Sequence, residues 1–277
     1  MPRRIKVPTA VPVGRAPLEA DSKESVWARS RAAQLGGRAE SATYLASVAA
    51  WRNAWRPEKV RVLLVAESHV AEEDGDVRVS VEPPTWAHRH LPTSFCRLVY
   101  CLGYGEPRLC TPEPVANATA TWQFWDLFGA IAGGRQPMQP RKGSSPDAHA
   151  DEHRLQWKLD VLSWLQRHGV WLVDACVAGI YLPGGERLAS GSKYNKMVLE
   201  SFVQFVLPSV SGEPLEQVWV IGSAVKKALA PVKEALPLMG IRVTGEINQP
   251  GDFERDRYLS GLGEMVNSLR KLVPPRP

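Results

Sequence analysis

Glu67, Ser68 and His69 stand directly behind the apolar run VRVLLVA (60–66) and put a carboxylate, a hydroxyl and an imidazole at three consecutive positions. A carboxylate so placed can accept a proton from attacking water or stabilise a developing cation, and the imidazole can orient water or touch a phosphate. Three other apolar runs also end in polar residues. Asp174-Ala175-Cys176 follows one, Gly222-Ser223 the next, and Asn248-Gln249-Pro250-Gly251 the last. Asp174 and Ser223 also suit capping positions, and Pro250-Gly251 suits a turn, which leaves Glu67-Ser68-His69 as the unusual group.

The elements that would position these residues alternate along the chain. The short β-branched run VRVLLVA reads as a strand buried on both faces, VWLVDAC as a second buried strand, and QVWVIGS and IRVTGEI as a third and a fourth strand. Helical patterns lie between them. Residues 21–55 carry one with a break near 35–37, SSPDAHADEHRLQWKLDVLSWLQRHG carries a capped one stopped by Gly169, and YNKMVLESFVQFVLP one closed by Pro208. AVKKALAPVKEAL is broken near Pro231, and the last segment places Tyr258, Leu262, Met265, Val266 and Leu269 on one stripe. Strands that alternate with helices predict a central four-stranded parallel sheet in a three-layer α/β/α sandwich, because parallel neighbours need crossover connections. In such sheets ligands bind beyond the carboxyl ends of the strands, where the polar residues above fall.

The region from about 77 to 145 is rich in Pro, Gly and Trp and reads as a long irregular insertion, with short helices at SFCRLVYCLG and TWQFWDLFGAIAGG. Residues 1–20 read as a disordered basic, proline-rich arm, and 21–277 as one domain. No run of about 18 uncharged apolar residues is present, so a soluble, cytoplasmic protein is expected. With 34 Lys+Arg against 29 Asp+Glu the chain is mildly basic, which favours an anionic partner. Four cysteines, Cys96, Cys101, Cys110 and Cys176, are too few for a disulfide framework and are expected to be reduced thiols.

From strand order and motif placement over roughly 58–272, the chain resembles the uracil-DNA glycosylase superfamily, nearest its thermophile-type branch. In that branch the first strand ends in a water-activating Gly-Glu-Ala-Pro-Gly loop followed shortly by Glu-Asp; here AESHVAEED (66–74) stands in that place. Glu67 matches the glutamate, and Glu73-Asp74 the acidic pair. The asparagine that reads the uracil edge is replaced by Asp174 in WLVDAC, and the His-Pro loop by Gln249-Pro250 in INQPGDF. VWVIGSAVKKAL resembles the family's third strand and following helix.

The resemblance implies a monofunctional glycosylase that hydrolyses the N-glycosidic bond of uracil or another deaminated base flipped out of DNA. It implies no metal or cofactor, DNA as partner and a monomer. Glu67 then positions water or stabilises the cationic sugar, while Gln249 or Asn248 supports the leaving base as a neutral donor. An ionised Asp174 only accepts hydrogen bonds, which points either to another base or to a protonated carboxyl. His69 replaces the family's proline and is either a site residue or an ordinary loop histidine. Ser68 joins the base pocket. Phe95 is either the stacking platform or core, and Phe253 either the wedge that fills the vacated stack or the start of the last helix. Arg187 and Lys193 in the loop after the second strand, with Ser223, Pro250 and Gly251, are the candidate DNA contacts.

The family's iron-sulphur branch needs an early cysteine pair, and no cysteine precedes Cys96, so no cluster is expected. Two other readings remain. AESHVAEE also resembles the Glu-x-His start of erythromycin-esterase-like hydrolases, although the other histidines fall away from strand ends; the second is a non-catalytic nucleic-acid-binding relative. The acids at 72–76 are expected to form a solvated loop that would repel phosphate.

Overall fold

The computed structural model describes residues 22–34, 39–84, 91–115, 122–133, 148–181, 187, 191–234, 236–239, 243–248 and 255–276, without the side chains of 122–123, 148–150 and 255–257. Helices α1 (Lys23–Gln34) and α2 (Ala42–Ala54) precede strand β1 (Val62–Ala66). Two short helices, α3 (Leu102–Gly105) and α4 (Pro107–Cys110), then α5 (Trp122–Gly133) and α6 (Ala148–Arg167) lead to β2 (Val170–Asp174). Helix α7 (Gly191–Ser201), a π-helical stretch at Phe202–Val206 and α8 (Leu207–Val210) lead to β3 (Gln217–Ile221). Helix α9 (Ser223–Leu229), β4 (Val243–Ile247) and α10 (Arg255–Leu269) complete the described elements.

All four strands pair in parallel, in the order β2-β1-β3-β4. Alternation along each strand sorts side chains between the two faces. Val62, Leu64 and Ala66 join Trp51, Phe128, Leu159, Leu162 and Met265 on one side. Leu63 and Val65 join Trp171, Met197, Val198, Val225 and Leu229 on the other. This is the expected α/β/α sandwich; β1, β2 and β3 read as apolar runs because neither face meets water, whereas the edge strand β4 is buried only at Ile247.

Local signals explain the joints. Ser41 caps α2, its hydroxyl accepting from the Tyr44 amide at 3.1 Å. Gly169 turns the chain from α6 into β2 at φ +77°, where a Cβ would also come within 2.9 Å of the Lys59 carbonyl. The stripe on α10 is buried as its spacing predicts. Two expectations need correcting. Pro208 does not end the helix after β2 at once; the chain widens into the π-helical stretch just before it and runs on without a break to Val210, two residues beyond the proline. The helix expected at SFCRLVYCLG is displaced to α3 and α4, because the 94–95 backbone instead pairs with 79–80.

The region after β1 is fixed by charge as well as by apolar contact. Glu106 takes Arg154 Nε at 2.7 Å and Lys158 Nζ at 2.6 Å, Asp151 takes Arg154 Nη2 at 2.8 Å, and Lys158 sits 4.7 Å above Trp125. All four charged residues are buried, so α6 is fastened to the α3–α4 turn. The acids after β1 do not form a free solvated loop: Asp76 and Glu73 hold Arg97, and Glu72 accepts from the Ser41 amide. Among the described residues no helix is long and apolar enough to cross a membrane.

Candidate active site at the carboxyl edge of the sheet

The β1–β2 ladder continues beyond both strands. The amides of Ala175 and Cys176 donate to the carbonyls of Ala66 and Glu67 at 2.7 and 3.0 Å. Further on, Val70 bridges Tyr181, and Ala71 N–H donates to the Tyr181 carbonyl at 2.7 Å. The two loops lie so close that a Cβ on Gly179 would fall 2.6 Å from the Ala71 Cα. Ser68 completes the seam, its hydroxyl donating to the His69 carbonyl at 2.9 Å and accepting from Ile180 N–H at 3.0 Å. Loop 67–71 is therefore fixed from its backbone, and its side chains are aimed by that backbone.

Glu67 points toward two tyrosines. Its Oε2 accepts from the Tyr181 hydroxyl at 2.8 Å and from Arg187 Nη2 at 3.3 Å, and Nη2 also donates to the Tyr181 oxygen at 2.7 Å. The Arg187 guanidinium lies 5.1 Å from the Tyr181 ring centre and 5.4 Å from that of Tyr194. Burial, then the charge of Glu67, pushes the Tyr194 phenol well up. Although the two groups are near enough to interact, Glu67 Oε1 and the Tyr194 hydroxyl are both buried without a hydrogen bond. One carboxylate oxygen is thus clamped, and the other is buried beside the Tyr194 phenol.

His69 is arranged in the opposite way. Its ring is fully enclosed, with Nε2 2.8 Å from Glu40 Oε1 and Nδ1 3.5 Å from Asp174 Oδ2, an ion-pair contact rather than a hydrogen bond. Burial alone would lower its pKa, but Glu40 and Asp174 outweigh burial and raise it to about 9. Arg52 Nη2 donates to Asp174 Oδ2 at 2.6 Å, and Gly179 N–H donates to Glu40 Oε2 at 2.8 Å. Burial pushes the Asp174 carboxyl up, yet Arg52 and His69 together hold it below the ordinary range. Asp174 is a buried, ionised member of an Arg52–Asp174–His69–Glu40 chain, engaged through Oδ2.

The remaining expected residues divide by place. Phe95 is in the core, edge-on to Tyr104 at 6.3 Å, and offers no stacking face. Arg187, Lys193 and Ser223 are exposed on the same side of the sheet, and Asn248 is half-buried just past β4. Two strand spacings separate β1 from β4, about 10 Å, with β3 between them. Gln249, Pro250, Gly251 and Phe253 lie outside the described residues. The four cysteines are buried and unbridged, and among the described residues no group of three His, Cys, Asp or Glu is placed to hold a metal ion.

Tyr181, Tyr194, Arg52 and Glu40 carry the site and were not singled out from the sequence. The two tyrosines bracket the basic loop after β2, a spacing that could have drawn attention to them. Arg52 and Glu40 gave no such signal, since each meets its partner only in the fold. No family model matches this chain, and no curated protein is significantly similar to it.

Proposed function

We propose that the chain hydrolyses an N-glycosidic bond in DNA, releasing uracil or another deaminated base turned out of the helix. The observation that carries this reading is Glu67: a carboxylate at the end of β1 with Oε2 fixed by Tyr181 and Arg187 and Oε1 buried without a hydrogen-bond donor of its own. Cleavage of such a bond generates a cationic sugar and consumes water. Glu67 Oε1 can accept the water proton while its charge faces the cation, and the fixed Oε2 keeps the carboxylate from turning away. Asn248, across the carboxyl edge, is a neutral donor suited to the departing base. Asp174 drops out as the base reader under this reading. The Glu-x-His hydrolase alternative is weakened at its histidine, because His69 is walled in by two carboxylates.

Oligonucleotides with a single uracil, hypoxanthine or xanthine, treated with the protein and then with alkali, test the proposal. Strand breaks are expected from one of them, with Glu67→Gln slower by about 10²–10⁴-fold, the size of a lost general base. No release from any substrate, or equal release by Glu67→Gln, would overturn it.

A further inference from the structure

We propose that Arg187 is the phosphate receptor of this site and that the phosphate it binds adjoins the nucleotide whose bond Glu67 attacks; this rests on the glycosidase reading of Glu67. Arg187 has two sides. Its Nη2 serves the interior, donating to Glu67 and Tyr181, and no other hydrogen bond or ion pair of this side chain occurs among the described residues. The side chain is 38% exposed while that of Glu67 is 6% exposed, so the guanidinium forms the outer boundary of the buried carboxylate. The rings of Tyr181 and Tyr194 hold it in place. Both two-pronged faces of a guanidinium use Nη2, which is taken, so Nη1 remains as a charged donor for one oxygen of a phosphate. Lys193, exposed one residue before Tyr194, adds positive charge to the same rim.

This placement couples binding to chemistry. With no anion outside, the guanidinium charge opposes the field of Glu67, which a cationic sugar must feel. A phosphate on the outer face offsets that charge without moving Arg187, and the negative field of Glu67 is restored where the cation forms. The carboxylate acts at full strength only when the nucleotide's own phosphate is seated. Free nucleotides carry the same group, so the two sources must be separated by experiment.

Binding of the Glu67→Gln protein to a uracil oligonucleotide, followed by fluorescence anisotropy, makes the contact measurable without turnover. The phosphates on either side of the target nucleotide are replaced singly by neutral methylphosphonate. One replacement is expected to weaken binding about tenfold, the size of one charge-assisted contact, and Glu67→Gln/Arg187→Ala is expected to bind every oligonucleotide alike. Arg187→Lys, which keeps the positive charge, should recover part of the difference. Deoxyuridine monophosphate competing as well as the strand, in an Arg187-dependent way, would make the free nucleotide the source. Equal sensitivity to each replacement with and without Arg187, in a protein whose melting temperature is unchanged, would overturn the proposal. Base release by the wild-type protein with no Arg187 dependence sinks this inference alone. A position-specific, Arg187-dependent contact in a protein that releases no base sinks the glycosidase reading instead.

Discussion

Glu67 and His69 are separated by one residue on one loop, and each is buried beside carboxylates, hydroxyls or guanidinium groups. Around His69 every charge has its opposite: Glu40 on one nitrogen, Asp174 on the other, Arg52 behind Asp174. Around Glu67 the charge partner, Arg187, is itself partly exposed, and a carboxylate oxygen and a phenol make no hydrogen bond, as His69 Nδ1 and Arg52 Nε make none on the other side. Buried charge that is fully paired fastens elements together; buried charge left partly open is arranged for something that arrives. The difference separates the scaffold of this edge from its reactive part, and a reader of the sequence would have assigned chemistry to both.

The largest expected effect is on the closed side. Asp174→Asn leaves Arg52 and the imidazolium without their shared counter-charge, and removing one partner of a buried pair costs about 3 kcal/mol or more. Urea denaturation should register that loss, and the choice of base released should not change. An Asp174→Asn protein of normal stability with a new base preference would reverse the comparison and return Asp174 to the pocket.

A comparable but pH-limited effect belongs to His69. Its folded pKa of about 9 lies above the ordinary 6.5, so folding favours the protonated ring. The contribution is complete below pH 6.5 and is lost as pH climbs toward 9; that interval corresponds to about 3 kcal/mol. Unfolding free energies measured between pH 6 and 7.5, below the range where thiols and phenols titrate, should fall steadily. His69→Gln should be less stable at pH 6 and flat over the same range. A wild-type protein with no slope would show that the ring is neutral and the chain of charges is not closed.

Much of the scaffold was legible and much of the pairing was not, for one physical reason. Strands buried on both faces leave a continuous apolar signature, so β1, β2 and β3 could be bounded within a few residues and their parallel pairing followed from the helices between them. The position of Glu67 at a strand end followed from that. Ion pairs leave no such trace. Arg52 is 122 residues from Asp174 and Glu40 is 29 from His69, so nothing local distinguishes a buried partner from a solvated surface charge. For the same reason the acidic run after β1 read as a repulsive loop, whereas Asp76 is buried against Arg97.

The smallest effect on stability should come from Tyr194, and it tests the open side most directly. Its hydroxyl is buried and makes no hydrogen bond, so Tyr194→Phe removes a desolvated group that gains nothing in the fold. Thermal stability should change by no more than about 0.5 kcal/mol, or rise slightly, since the ring and its contact with Arg187 remain. Base release should nonetheless slow by about tenfold if the phenol and Glu67 Oε1 hold the attacking water between them. The pairing of unchanged stability with reduced rate separates a group kept for a reactant from one kept for packing. A variant that is both as stable and as active as the wild type would leave Glu67 without a second ligand for its water. A clear loss of stability would mean that the hydroxyl is bonded in the protein and that the open side is closed after all.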